Sequence, residues 1–215
     1  MKYPYKSSHV DYFQIGAHIG NSSNDPIYKL NFNNKNIILI EPVPFLFELL
    51  KHNYKEKISK NEIEFLKIAV SEYDGAINMI VPCSDNDFNK YPYFLNQMAS
   101  TTDRYIKEFK FKERFPDFTF ETISVVCKTL NSIILERGIS SIEHLIIDTE
   151  GHDETILRSY DFTVKPKYIT FENCYIENYS DFIVYLLSHG YKIVSENKED
   201  TLVERIDEPN TQSNA

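Results

Sequence analysis

FQIGAHIGN, residues 13–21, is the stretch that decides the fold, because its apolar run stops abruptly at small residues. LIIDTEGHD, residues 145–153, begins 132 residues later and ends its apolar run in acidic residues instead. In an open α/β sheet, the carboxyl ends of neighbouring strands form the ligand crevice. We therefore expect the two stretches to lie side by side, the first as a ligand-holding turn and the second as a source of reactive side chains.

Strand and helix patterns alternate outward from these stretches, which indicates βαβ units and a mostly parallel sheet. Predicted strands cover residues 11–16, 36–41, 63–70, 76–81, 118–127, 144–149 and 168–172. Predicted helices cover residues 44–57, 130–137, 151–160 and 179–188. Residues 191–194 and 201–204 predict an antiparallel C-terminal hairpin. The expected fold class is α/β, with helices on both faces of the central sheet.

The chain length of 215 residues predicts one domain over residues 1–206. Residues 83–117 form a long polar and aromatic stretch of the kind that serves as a substrate loop or lid, with a helix expected near residues 102–113. The tail, residues 207–215, has the composition of a disordered segment.

Charge and cysteine content exclude several classes of function. A net charge of -9 disfavours binding to nucleic acid, whose phosphates recruit Lys and Arg. Three widely spaced cysteines without a C-x-x-C pair indicate neither a zinc site nor a disulfide framework, and they favour a cytoplasmic setting. No apolar run approaches 18 residues, so no membrane span is expected.

Gly16 and Gly20 predict a tight turn after the first strand, but their G-x-x-x-G spacing differs from the dinucleotide fingerprint. A helix is expected to follow, capped by Asn21 or Ser22, with free N–H groups at its start. Glu41 ends the second strand 21 residues after Gly20, where a carboxylate can accept hydrogen bonds from both ribose hydroxyls. The turn and Glu41 together favour a ribose-bearing cofactor. The glycine spacing and the absence of a Tyr-x-x-x-Lys pattern then favour S-adenosylmethionine over NAD.

At this point the chain resembles the FkbM family of S-adenosylmethionine-dependent methyltransferases. The resemblance rests on residues 14–21, the pair Asp25-Pro26, IEPVP at residues 40–44, AVS at 69–71, TL at 129–130, residues 145–153 and FE at 171–172. These segments span about residues 13–172, most of the chain. The resemblance implies the Rossmann-like fold of class I methyltransferases.

The resemblance also implies a set of residues that hold the cofactor. Gln14 stands where the commonest family pattern has Asp, so it can form hydrogen bonds but adds no negative charge near the methionine end. His18 replaces the more usual Asn. The expected cofactor-binding residues are Gln14, Gly16, Ala17, His18, Gly20, Asn21, Glu41 and Pro42, with Ala69, Val70 and Ser71 beside the adenine.

Asp148, Glu150, His152 and Asp153 crowd the end of one predicted strand, where these titratable side chains should repel or pair. Methyl transfer to a hydroxyl requires in-line positioning and removal of the acceptor proton. Histidine is a common general base near neutral pH, so His152 is a candidate for this role, while Asp148 or Asp153 could orient it or act as the base. Glu172 ends the next strand and could bind a substrate hydroxyl.

A metal-dependent route remains open beside this one. Carboxylate oxygens suit Mg²⁺, and Asp148, Asp153 and Glu172 could supply them. The metal-free route is favoured.

The expected function is O-methylation of a sugar or glycan hydroxyl. Two alternatives remain: methylation of a polyketide or lipid-linked hydroxyl, and a non-catalytic cofactor-binding domain of a larger glycan-modifying protein. The expected partner is a small-molecule or glycan acceptor, and fusion to or association with glycosyltransferase domains is a further alternative.

Overall fold

The computed structural model describes residues 7–22, 25–30, 33–92, 95, 98–101 and 111–207. The strands are β1 (His9–Ile15), β2 (Asn36–Ile40), β3 (Glu62–Leu66), β4 (Ala69–Val70), β5 (Gly75–Pro82), β6 (Phe120–Lys128), β7 (Ser141–Ile147), β8 (Tyr168–Glu172), β9 (Tyr191–Glu196) and β10 (Asp200–Arg205). The helices are α1 (Pro44–Asn53), α2 (Lys55–Ile58), α3 (Phe111–Arg114), α4 (Leu130–Arg137), α5 (Asp153–Ser159) and α6 (Tyr179–Ser188), with a 3₁₀ turn at Phe88–Lys90.

The main sheet of the described residues has the strand order β3-β2-β1-β7-β8-β10-β9. Its strands are parallel except β10, which runs antiparallel to both β8 and β9. This arrangement confirms the predicted α/β fold with a C-terminal hairpin. Ile15 pairs with Ile147, so the two stretches that decide the fold end side by side, as expected.

Both faces of the main sheet are covered by helices. On one face Ile38 packs in a buried cluster with Leu130 of α4 and Phe182 of α6. On the other face Ile37 packs with Leu50 of α1. Because successive residues of a strand point to opposite faces, a strand covered on both sides is apolar along its buried length, as residues 37–40 of β2 are.

A second sheet with the order β4-β6-β5 was not predicted. The predicted strand 63–70 was wrong, because the chain leaves the main sheet after Leu66 and Ala69 then pairs with Cys127 of β6. The predicted helix 44–57 is likewise interrupted at Tyr54, a fully buried residue between α1 and α2. The second sheet carries β4 to the edge of the cleft described below.

The helix expected after Gly20 was also wrong, since the described residues between Gly20 and Leu30 form turns. Asp25 explains the difference. Its Oδ1 accepts hydrogen bonds from the backbone N–H groups of Ile27 (2.9 Å) and Tyr28 (2.5 Å), which closes the chain into a turn.

Two other expectations lie partly or wholly outside the described residues. Of the helix expected at residues 102–113, only the part that forms α3 is described, and residues 208–215 of the tail are outside. Within the described ranges, no helix has the length and apolar character needed to cross a bilayer.

Candidate functional site

A cleft of about 660 Å³ opens where β1, β2 and β7 end. We call it the main cleft; its lining comprises Ile15, Gly16, His18, Ile40, Glu41, Pro42, Leu46, Ile68, Ala69, Val70, Met79, Ala99, Thr101, Asp148, Thr149, Glu150 and His152. A smaller side pocket is lined by Gln14, Gly16, Ala17, His18, Ser22, Asp25, Pro26 and Asp148. The two cavities share Gly16, His18 and Asp148, so they meet at the ends of β1 and β7.

Only glycine fits at position 16, because the ends of β1 and β7 approach each other closely there. Gly16 has a φ of 81°, and a Cβ atom added there would lie 1.7 Å from the carbonyl oxygen of Asp148. Gly20 lines neither cavity; a Cβ there would lie 2.4 Å from Leu50 and 2.5 Å from Tyr54. Asn21 lines neither cavity as well. Gly20 therefore serves to pack the turn against α1.

Glu41 is held rigidly at the end of β2. It is 4% exposed, its Oε2 accepts the backbone N–H of His18 at 2.9 Å, and its Oε1 accepts that of Val43 at 2.8 Å. Burial raises the pKa of Glu41 to about 7. A carboxylate has about four acceptor sites, so each oxygen can take a further hydrogen bond.

His18 follows the turn with a φ of 49°, a left-handed conformation in which Asn, Asp and His are enriched. This conformation presents its N–H to Glu41. Because Asn shares this backbone preference, His18 can take the place of the Asn that the resemblance led us to expect.

Asp148 occupies the junction of the two cavities. Asp148 is exposed to solvent inside the cavities, but the walls of the concave site surround it with protein on most sides. This burial, followed by repulsion from Glu150 and Asp153, raises the pKa of Asp148 well above its usual range. The carboxyl group is thus easily protonated where the cavities meet.

Asp153 lies away from both cavities and joins three elements. It is 1% exposed, its Oδ2 accepts hydrogen bonds from the backbone N–H (3.1 Å) and hydroxyl of Thr149, and its Oδ1 accepts the backbone N–H of Glu172 at 3.0 Å. Burial raises its pKa. Asp153 therefore ties the start of α5 to the ends of β7 and β8.

Glu172 ends β8 and lines neither cavity. Its Oε1 accepts a hydrogen bond from the thiol of Cys174 at 3.5 Å, and its Oε2 is buried without a hydrogen-bond partner among the described residues. Burial, followed by repulsion from Glu150 and Asp148, raises the pKa of Glu172 to about 10. At neutral pH this carboxyl group is protonated and can donate a hydrogen bond.

His152 is anchored to residues that sequence reasoning had not connected with it. Its Nε2 lies 3.0 Å from Ser71 Oγ and 3.4 Å from Glu72 Oε2, and its Nδ1 lies 3.4 Å from Thr101 Oγ1. Ser71 donates its hydroxyl to Glu72 at 2.5 Å. Since Ser71 directly follows Val70, His152 lies beside the wall of the main cleft formed by β4.

The sequence profile of the methyltransferase FkbM domain matches residues 14–193. The chain belongs to the FkbM methyltransferase family. The expected membership is thus confirmed.

One solved structure from the same family agrees with this fold, and two further methyltransferase structures align more weakly. A methyltransferase FkbM from Methylobacillus flagellatus aligns with a TM-score of 0.52 and 16% identity, covering 92% of this chain and 44% of that one. The chain therefore spans less than half the length of that protein. Aeropyrum pernix fibrillarin with natively bound S-adenosyl-L-methionine has a TM-score of 0.43, 11% identity and coverages of 95% and 69%. Geobacter metallireducens precorrin-6y C5,15-methyltransferase has a TM-score of 0.41, 10% identity and coverages of 93% and 80%. No curated protein matches the sequence.

The two cavities offer hydrogen-bond acceptors to a ligand such as the cofactor that the sequence predicts. Glu41 can accept further hydrogen bonds from a pair of ribose hydroxyls. Because its carboxyl group is buried, such hydrogen bonds would stabilise its charged form. Gln14 lines the side pocket with a buried Oε1 that has no hydrogen-bond partner among the described residues. Both observations indicate a ligand that supplies hydrogen-bond donors.

Several lining residues of the FkbM site were missed by sequence reasoning. Met79, Ala99 and Thr101 come from β5 and from the segment after the 3₁₀ turn. Ser100 exchanges two backbone hydrogen bonds with Ile80, of 2.8 and 3.0 Å, which brings this segment to the cleft. The long stretch 83–117 was the only sequence signal for Ala99 and Thr101, and it did not single out positions.

Within the described residues, no group of three or more His, Cys, Asp and Glu side chains is arranged to hold a metal ion. Asp153, one of the three residues considered for Mg²⁺, already accepts hydrogen bonds at both oxygens.

Proposed function

We propose that this FkbM methyltransferase transfers a methyl group to a hydroxyl of a sugar or glycan. The observation that carries the proposal is Asp148, a carboxyl group with a raised pKa where the main cleft meets the side pocket. Carboxyl groups can accept hydrogen bonds from the hydroxyl groups of a sugar. Glu150 adds a second carboxyl group to the lining of the main cleft.

The cofactor is proposed to lie across both cavities. Glu41 binds the ribose, and the wall formed by Ala69 and Val70 flanks the adenine. The side pocket receives the methionine end, with Gln14 and Ala17 in its lining. S-adenosylmethionine supplies an electrophilic methyl group when bound.

Asp148 is the proposed general base. It lies at the junction of the cavities, and a base is most effective when its pKa approaches the working pH. His152 has both ring nitrogens within 3.4 Å of Ser71, Glu72 or Thr101 oxygens, and we assign it to the adenine end of the main cleft. Glu150, which lines the main cleft, is proposed to bind acceptor hydroxyls.

Asp153 is proposed to position the acidic loop through its bonds to Thr149 and Glu172. It therefore acts through its neighbours rather than on the acceptor.

The stretch 83–117 is proposed to form the acceptor side of the site within one domain, residues 1–206. Ala99 and Thr101 support this, because they belong to the stretch and line the main cleft. Cys83, Cys127 and Cys174 are free thiols, which fits the cytoplasmic location that we propose.

Methyl-labelled S-adenosylmethionine tests the proposal directly. The protein is incubated with matched panels of sugars, polyketides and lipid-linked alcohols, and labelled products are separated and counted. We expect label in sugar hydroxyls. Label confined to another panel would reassign the acceptor, and cofactor binding without any labelled product would favour a non-catalytic domain.

A further inference from the structure

The side pocket concentrates hydrogen-bond acceptors. Gln14 is 3% exposed, and its Nε2 donates to Asp25 Oδ2 at 3.4 Å. This bond fixes the amide so that Oε1 is the atom left without a partner among the described residues. Asp25 and Asp148 contribute carboxyl groups to the same pocket.

Asp25 is a buried carboxyl group whose charged form the protein only partly stabilises. It is 7% exposed, and burial raises its pKa although hydrogen bonds from Tyr28, Ile27 and Gln14 and the charge of Lys57 oppose the rise. Its Oδ1 already serves the turn at Ile27 and Tyr28, and its Oδ2 accepts a hydrogen bond from the amide of Gln14. A buried carboxylate next to an unsatisfied carbonyl is costly unless a positively charged donor joins them.

We propose that Gln14 and Asp25 together bind the α-ammonium group at the methionine end of the cofactor, with Asp25 supplying the negative charge that Gln14 lacks. Gln14 Oε1 accepts one ammonium hydrogen, and the Asp25 carboxylate balances the charge beside it. The assignment rests on the proposed placement of the cofactor across both cavities.

The proposal predicts selection between two ligands that share an adenosine. S-adenosylhomocysteine carries the ammonium group, whereas 5′-methylthioadenosine ends at the thioether. Only the affinity for S-adenosylhomocysteine should therefore depend on Asp25. Charge-assisted hydrogen bonds contribute about 1.5–3 kcal/mol, which corresponds to roughly 10- to 100-fold in affinity.

Calorimetric titration of both ligands into wild type and Asp25→Asn tests this. Asparagine keeps an acceptor for the turn but removes the charge. We expect Asp25→Asn to weaken the affinity for S-adenosylhomocysteine by roughly 10- to 100-fold. The affinity for 5′-methylthioadenosine should change by less than about twofold. The double variant Gln14→Glu/Asp25→Asn returns the charge to the pocket and should regain most of the affinity.

Asp11→Asn is the matched control, because Asp11 is also buried (8% exposed) but pairs with Lys35 outside both cavities. It should change neither affinity. If Asp25→Asn does not fold by circular dichroism, Gln14→Met takes its place, since it removes the Oε1 acceptor and leaves Asp25.

Three outcomes decide between the assignments. A selective loss for S-adenosylhomocysteine supports the ammonium site. An equal loss for both ligands, or no loss, overturns it while leaving the cofactor site intact. Failure of wild type to bind either ligand overturns the proposed placement of the cofactor itself.

Discussion

Glu41 links cofactor binding to pH. Its pKa is raised from 4.5 to about 7 because the carboxyl group is buried, although two backbone N–H groups donate to it. Between these pH values, the folded protein without ligand holds a proton that the unfolded chain has lost. The contribution of Glu41 to stability therefore falls as pH rises from 4.5 to 7.

Ribose hydroxyls that donate to Glu41 should lower this pKa, so binding below pH 7 should release a proton. We expect S-adenosylhomocysteine to release nearly one proton at about pH 6 and almost none above about pH 8. Calorimetry in buffers of different ionisation enthalpy measures the release. In Glu41→Gln the proton release should vanish, and the affinity for S-adenosylhomocysteine should be at least about tenfold weaker. Unchanged release in this variant would exclude Glu41 as its source.

Asp148 and His152 can be separated as candidates for the base. We expect Asp148→Asn to reduce kcat by at least about 100-fold with S-adenosylhomocysteine affinity within a few-fold of wild type. His152→Ala should instead raise the KM for the cofactor and leave kcat within about tenfold. The reverse pattern, with kcat lost in His152→Ala, would return the base role to His152.

At the level of elements, some boundaries were predicted to the residue. The ranges expected for β8 and α6 agree with the structure, because β8 is a short apolar run and α6 is closed by Gly190. The helix at residues 130–137 was also correct, with Thr129 accepting the N–H of Ser132 and Gly138 ending it at a φ of 62°.

Errors arose where a distant partner decides the structure. Nothing within residues 63–70 shows that the chain changes sheets, because the partner of Ala69 is Cys127. In the site, Glu41 and Asp148 could be predicted because each follows an apolar strand. Thr101 could not, since its position depends on the pairing of Ser100 with Ile80. Glu72 was missed because only its neighbour Ser71 matched a family motif.

The contact between the ends of β1 and β7 predicts a severe effect of Gly16→Ala. The added methyl group would meet the Asp148 carbonyl, a backbone atom that cannot turn away. We expect a loss of more than about 4 kcal/mol in unfolding free energy, measured by urea denaturation.

Gly138→Ala is a matched control for this experiment. Gly138 also has a positive φ, but nothing lies within 4 Å of an added Cβ. We expect it to cost about 1–2 kcal/mol from backbone conformation alone. Similar losses of unfolding free energy in both variants would show that the backbone conformation, rather than the contact with Asp148, is the reason that position 16 requires glycine.

At the level of the whole molecule, the metal question is answered by removing metals. We expect dialysis against EDTA to leave the rate of methyl transfer within about twofold, because a carboxyl base needs no metal to accept a proton. The measurement uses whichever acceptor the labelling experiment identifies. A rate that collapses and returns with added Mg²⁺ would establish the metal-dependent route instead.

The abutment of Gly16 and Asp148 also bears on redesigning the protein for new ligands. The floor of the main cleft lies where the ends of β1 and β7 meet, while Ala99 and Thr101 line the cleft from the segment after the 3₁₀ turn. Libraries that diversify the floor would consist mainly of unfolded chains. Libraries confined to Ala99 and Thr101 leave the strand contact intact, so ligand choice can be varied there without rebuilding the scaffold.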